Sequence, residues 1–409
     1  MARDASTHET PTRRDLVKAG GTLVGGGLLA GCTGGDSEST ATESAASTDA
    51  TTGTPATTTT TTTDSSYTVT MSPMGDVEFD DVPESIFTRL THLAGMAFAL
   101  GRGDDVNAMH APAYYDALWN QFTPRLDGVT LDWTGLYSSW EPDKERLYEL
   151  DSDVHLADPA SVLALDSWDM ADVEEIRTKV GPWFGNHLSD THSEPPSDWE
   201  GEYEYYGLWE MFERVAQVFD GTDRYEALAD VRSELLSTIE SDLPPVDERP
   251  EAVMVGASDL SSIYAYRLDD PGFLTAHIRP LEPVSAFGGD VESTATVGME
   301  ALREANPEVI FALGGMHPET DIEAIRSGFE DDAVGRQIRA VENDRVYAQG
   351  ARYQGPILNL FQLEMTAKQL YPDAFGEWPT YTEGPYPEIP DEEQLFDRDR
   401  VADVINGEL

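Results

Sequence analysis

The chain has 409 residues and a formal charge of −51, because Asp and Glu outnumber Lys and Arg 77 to 26. That balance excludes a nucleic-acid-binding surface, which needs a basic patch against phosphate; beyond Arg13-Arg14 no run of Lys or Arg offers one. A single cysteine, Cys32, excludes both a disulfide and a cysteine-ligated metal cluster from the folded part.

The chain opens on an address. Thr12-Arg13-Arg14-Asp15-Leu16-Val17-Lys18 precedes an uncharged, glycine-rich run from Ala19 to Ala30, and Leu29-Ala30-Gly31-Cys32 closes it. Basic residues, a short apolar run and small residues before a cysteine resemble a twin-arginine signal ending in a lipobox. Residues 1–31 are therefore expected to be a cleaved lipoprotein signal, with Cys32 carrying lipid. The run falls short of the about 20 residues that a bilayer-crossing helix needs. Residues 32–66 hold no large apolar residue after Cys32 and include the threonine run Thr57–Thr63, so they cannot bury a core. They are read as a lipid-anchored stalk, reaching at most ~110 Å when fully extended. The acid is spread through apolar-periodic segments instead of gathered in a tail, and lysine is confined to Lys18, Lys144, Lys179 and Lys368. This bias resembles proteins of salt-loving archaea, where high salt screens the self-repulsion of the fold.

From Tyr67 onward the chain is long enough for two lobes. Val82–Leu90 reads as a strand leading into a short helix over Thr91–Gly101, with Leu93, Met96, Ala97 and Leu100 at helical spacing and Thr91 as its cap. Trp140–Ala157 reads as a helix followed by a strand, and Met299–Leu313 repeats the unit. Aligned on the strand, Glu145 falls on Glu300, Leu147 on Leu302 and Asp153 on Glu308. Between the copies, Tyr225, Leu228, Val231, Leu235, Ile239 and Leu243 keep three- and four-residue steps until Pro244-Pro245 stops them. Glu251–Gly256 then reads as the first strand of a second lobe. The expected organisation is an N-terminal lobe over 67–222, an interlobe helix over 223–243 and a C-terminal lobe over 244–409.

The lipobox, the stalk, the Val82-Pro83 strand with Ala99-Leu100-Gly101, the twin helix–strand units, the single long helix and the closing segment Asp332–Tyr347 to Tyr353–Pro356 together resemble one family. It is the substrate-binding lipoproteins of ABC importers for iron-siderophores, cobalamin and haem, here of haloarchaeal type. The resemblance implies an α/β fold of two lobes, each with a mainly parallel sheet flanked by helices, joined by one rigid helix, with the ligand in the cleft and limited hinge closure. It implies a cargo that is an iron-siderophore or similarly large chelate, an ABC permease dimer with its ATPase as partner, no catalysis and no cofactor, and a location on the outer face of the cytoplasmic membrane. Glu145 and Glu300 take the positions of the two permease-docking glutamates.

Cleft loops lie beyond the carboxyl ends of parallel strands. Aromatic side chains give a flat ligand rigid contact area, and arginine pairs with carboxylate or chelate oxygens. On these grounds Trp133, Tyr137, Trp183, Arg267, Arg352 and Tyr353 are the expected ligand contacts. His110, His187, His192, His277 and His317 lie in loops without the convergent spacing of a metal cage, so no metal ligand is assigned. Ferric hydroxamate, catecholate, cobalamin and haem stay open as cargo. Two other classes stay open as well: an enzyme, for which no nucleophile elbow, phosphate loop or zinc helix is found, and an extracellular adhesion or sensory module.

Overall fold

A computed structural model describes residues 66–256 and 260–409. The signal, Cys32, the stalk up to residue 65 and Ser258 lie outside the described residues. The folded chain opens with an antiparallel hairpin, β1 (Tyr67–Met71) and β2 (Gly75–Phe79), in register Val69↔Val77. Alternation puts Val69, Met71, Val77 and Phe79 on its buried face.

The first sheet comprises β3 (Ile86–Thr88), β4 (Val106–Met109), β5 (Tyr137–Ser138) and β6 (Val154–Leu156), all parallel in the order β5-β4-β3-β6. The second contains β7 (Glu251–Gly256), β8 (Ile263–Tyr266), β9 (Val284–Ser285), β10 (Thr296–Val297), β11 (Val309–Ala312) and β12 (Val346–Ala348). Its order is β10-β8-β7-β11-β12 with β9 also on β7; β9, β7, β11 and β12 pair in parallel, and β8 and β10 pair antiparallel. The fold is thus the expected mixed α/β architecture. β7 and β11 are apolar almost throughout, as strands covered on both faces must be.

The helices of about two turns or more are α1 (Thr91–Ala99), α2 (Pro112–Trp119), α3 (Lys144–Leu150), α4 (Met170–Lys179), α5 (Leu208–Val218), α6 (Thr222–Asp242), α7 (Met299–Ala305), α8 (Ile322–Asp331), α9 (Gly355–Leu370) and α10 (Arg398–Asn406). Thr91 is the first helical residue of α1, not its cap: Leu90 holds the cap position, with no side-chain bond. In α6 the residues Leu228, Val231, Leu235 and Ile239 form the buried stripe, while Tyr225 and Leu243 are only half-buried at its ends.

The repeat seen in the sequence extends to backbone detail. α3 and α7 each have seven residues, and each ends on a left-handed residue, Asp151 (φ 47°) and Asn306 (φ 46°). Their N–H groups donate to Leu147 O at 3.1 Å and Leu302 O at 2.8 Å. A polar left-handed cap turns each helix straight into its strand.

The end of the chain departs from the expected boundaries. α9 is buried along all sixteen residues and packs on α1, α5 and α6. Further on, Tyr386 N donates to Gln121 O at 2.6 Å, Asn406 Nδ2 donates to Asp127 O at 3.0 Å, and α10 packs on α6 and α1. Residues after Gly355 therefore do not belong to the second lobe alone; they return to the first. One apolar cluster runs through both sheets from Val69 to Ile405.

The tightest joint is the crossing of α1 and α9. A Cβ at Gly95 would stand 2.4 Å from the Trp119 ring and 3.4 Å from Gly355 Cα; one at Gly355 (φ +53°) would stand 3.1 Å from the same ring. Trp119 cannot swing aside, because Phe98 and Trp133 pack edge-on against it at 5.8 and 5.2 Å. Gly95→Ala is expected to destabilise the protein by about 1–3 kcal/mol through overpacking. A lowered urea midpoint in molar salt would confirm this; an unchanged one would show that the crossing is loose.

Candidate ligand-binding cleft

The carboxyl ends of the two sheets face each other across a closed cleft. From the first lobe come Arg89 and His92 after β3, His110 after β4, Trp140 after β5, and Asp158 to Asp190 after β6; from the second come His317 after β11 and Arg352-Tyr353 after β12. The positive φ of Gly355 turns the chain directly after Arg352 and Tyr353, leaving both between the lobes.

Arg89 defines the site's electrostatics. It is 5% exposed, its Nη2 donates to Trp140 O at 3.1 Å, and its guanidinium lies 5.5 Å from the Trp140 ring centre. Nε has no hydrogen-bond partner, and among the described residues no carboxylate pairs with Arg89. Burial pulls its pKa down to about 10, so it stays charged at neutral pH. A buried, unpaired cation is costly to keep, and an anionic or strongly accepting ligand offsets that cost.

Across the cleft, Arg352 Nε donates to Asp190 Oδ2 at 2.8 Å and its guanidinium stacks 5.0 Å over Tyr353. Tyr353 lies 5.9 Å from His92 and 6.0 Å from His187. His110 packs 4.3 Å from Trp140 and 5.5 Å from Tyr115. At the margin, Tyr114 stacks on His317 at 3.9 Å with rings 9° apart, and His317 Nε2 meets Tyr114 O at 3.2 Å. Both ring nitrogens of His92 and the Nδ1 atoms of His110 and His187 lack hydrogen-bond partners. Burial pushes His92 and His110 down to about 3, and burial with the charges of Arg89 and Arg352 holds His187 well below its ordinary range. The cleft therefore presents neutral imidazoles. Among the described residues no group of three His, Cys, Asp or Glu is arranged to hold a metal ion.

Asp158 anchors the first-lobe loop. Its carboxylate accepts from Ala160 N at 2.8 Å, from His187 N at 2.7 Å and from the Tyr203 hydroxyl, and burial nonetheless raises its pKa to about 6.

The structure brings Arg352 and Tyr353 into the cleft and places the other four expected contacts elsewhere. Trp133 is 1% exposed and packs with Trp119 and Phe98 inside the first lobe. Trp183, also 1% exposed, lies beside His155 and donates Nε1–H to Val173 O at 3.0 Å, closing a separate core cluster. Tyr137 sits on edge strand β5 under Arg146, with its hydroxyl accepting from Asp143 N. Arg267 pairs with Asp269 at 2.9 Å and Asp270 at 3.4 Å outside the cleft. These residues share the aromatic or cationic character of the cleft set but are consumed by packing or local pairing. Arg89, Trp140, His187 and Asp190 were missed; the position of Arg89 directly after a parallel strand was the available signal.

Compared with known proteins, residues 135–353 match the family model described as periplasmic binding protein. No curated relative matches the chain. Among solved structures it is similar to a periplasmic binding protein from Veillonella parvula (14% identity, 75% of this chain and 92% of that one, TM-score 0.53). It is also similar to the petrobactin-binding protein YclQ from Bacillus subtilis (14%, 74% and 98%, TM-score 0.52) and to the catecholate-siderophore binding protein VctP from Vibrio cholerae (14%, 74% and 99%, TM-score 0.52). At these identities the likeness establishes the fold.

Acid should loosen this cleft. Histidines held near 3 when folded and near 6.5 when unfolded contribute stability that is complete above pH 6.5 and is lost as pH falls towards 3, on the order of 2 kcal/mol each by pH 5. Raised Asp158 works in the opposite sense and offsets part of the loss. The urea midpoint in molar salt is expected to drop between pH 7 and pH 5; a midpoint that holds or rises would show that the histidines are not buried in their neutral form.

Proposed function

The chain belongs to the periplasmic binding protein family, and from that membership we propose that it is the solute-binding component of an ABC importer, capturing an iron-siderophore and handing it to the permease. The observation that carries this reading is Arg89, a buried cation that makes no ion-pair contact, at the meeting of two lobes beside Arg352 and Tyr353. Aromatic rings and neutral imidazoles around two guanidinium groups suit a large chelate whose outer oxygens accept hydrogen bonds. The names of the petrobactin- and catecholate-siderophore-binding structures support the same cargo class.

Capture requires the Tyr114–His317 contact at the margin to part, since the side chains of both lobes fill the cleft. The shared core around α9 limits the opening to the cleft mouth. Docking is assigned to Glu145 and Glu300. Both are exposed in the first turn of their paired helices, α3 and α7, and among the described residues neither forms an ion pair. Charge pairs on both lobes would set register and speed encounter with a basic permease surface. No described helix is long and apolar enough to cross a membrane. A twin-arginine signal, lipid on Cys32 and the threonine-rich stalk would tether the protein to the outer face of the cytoplasmic membrane, and its acidic surface fits a salt-loving host.

Arg89→Met removes the unpaired charge but keeps the packing of the side-chain stem. Ferric-chelate affinity is expected to fall at least about tenfold while the urea midpoint holds or rises, the exchange of stability for function that a binding cation predicts. Equal affinity in the variant would remove Arg89 from the site. The double variant Glu145→Ala with Glu300→Ala is expected to cut cellular uptake and leave solution affinity intact; normal uptake would end the docking assignment.

A further inference from the structure

We propose that the cleft selects ferric chelates carrying at most one net negative charge, as ferric trihydroxamates do, and rejects trianionic ferric tris-catecholates. The inference rests on the importer reading above and follows from a count of charges. Two cations reach the cleft, Arg89 and Arg352. Arg352 is already neutralised by Asp190, which is 1% exposed and accepts from Nε at 2.8 Å. Asp190 is fixed by backbone packing across the lobes: a Cβ on Gly272 would stand 1.8 Å from its carbonyl oxygen. It therefore stays in the site as a permanent counter-ion. Asp158, 1% exposed, and the exposed Glu141 both act electrostatically on Arg89, and the flanking Asp270 is itself held by Arg267 at 3.4 Å. The buried charges Arg89, Arg352, Asp158 and Asp190 sum to zero, so the cleft holds no surplus positive charge; of its two arginines only Arg89 makes no ion-pair contact.

A trianion brought into this buried site would need three counter-charges and find at most Arg89, itself already opposed by Asp158, since the surrounding histidines are neutral. Each charge left uncompensated on leaving water opposes binding. A second observation points the same way. Asp190 Oδ1 is buried without a hydrogen-bond partner. An acceptor-only carboxylate oxygen, it opposes the oxygens of a trianion more strongly than those of a neutral chelate. The surface charge of −51 adds long-range repulsion of polyanions, but molar salt reduces the screening length to about 3 Å, so the discrimination must be local.

Equilibrium dialysis of the full-length protein in molar salt, with radio-iron loaded on a neutral trihydroxamate and on a trianionic tris-catecholate of similar size, tests this. The expected result is at least 100-fold tighter binding of the trihydroxamate. Equal or tighter binding of the tris-catecholate would overturn the charge selection while leaving chelate capture standing; no saturable binding of either would overturn both. Asp190→Asn frees Arg352 and is expected to narrow the preference at least tenfold, chiefly by strengthening tris-catecholate binding. A folded variant with an unchanged ratio would overturn the role of Asp190. Should the variant fail to fold, the wild-type ratio alone decides.

Discussion

The contact on which the rest of the molecule depends is the crossing of α1 and α9, where Gly95 and Gly355 bring two backbones together beneath Trp119. α1 follows the first strand of the first sheet, and α9 follows the last strand of the second. Locking them makes one core out of two lobes. Packed interiors are not continuously deformable, so motion is confined to what lies outside that core. The cleft is what remains: side chains beyond the strand ends, held shut by an aromatic stack and one ion pair. A rigid base with a mobile mouth suits capture, because little ordering entropy is left to lose when a ligand binds.

Buried polar groups away from the cleft include well-connected networks, although single atoms of Trp119, Trp133, His155, His277, Gln349, Gln362 and Arg398 stay unpaired there. Glu364 accepts from Arg398 at 2.6 Å, from the Tyr386 hydroxyl at 2.7 Å and from Leu395 N at 2.7 Å. Gln354 ties α9 to the second lobe through Phe273 O at 3.1 Å and His277 at 3.0 Å. Within the cleft, Arg89 Nε, Asp190 Oδ1 and nitrogens of three histidines are left without partners. Such exceptions occur elsewhere in the fold as well; what distinguishes the cleft is that an arginine, a carboxylate oxygen and imidazoles from both lobes meet there.

The repeat was legible because its signal is positional. Glu145, Leu147 and Asp153 recur with one offset at Glu300, Leu302 and Glu308, and the structure adds the matching caps Asp151 and Asn306. The long helix α6 was legible from period, and it runs within one residue of the expected span. The hairpin β1–β2 was overlooked although Val69, Met71, Val77 and Phe79 alternate as a half-buried ribbon should. Of the six expected contacts, Arg352 and Tyr353 lie in the cleft. Trp133 and Arg352 look alike as candidates in a sequence, although Trp133 precedes β5 and only Arg352 follows a strand. What separates them is what each one faces, Trp119 or Asp190, and that is set by contacts distant along the chain. The return of the chain after Gly355 was illegible for the same reason: an apolar helix does not say which lobe buries it.

An acidic surface and a cationic binding residue are compatible only if they act over different distances. In molar salt a charge is screened within about 3 Å, so the many exposed carboxylates neither steer nor repel a chelate at range. The ions that screen the surface cannot follow a ligand into a cleft closed by its own side chains. There Arg89 acts in a medium of low polarisability, where one charge outweighs many solvated ones. On the proposed reading, the composition of the surface would be free to answer a salty solvent, while the cleft would keep recognition in the few buried groups that salt does not reach.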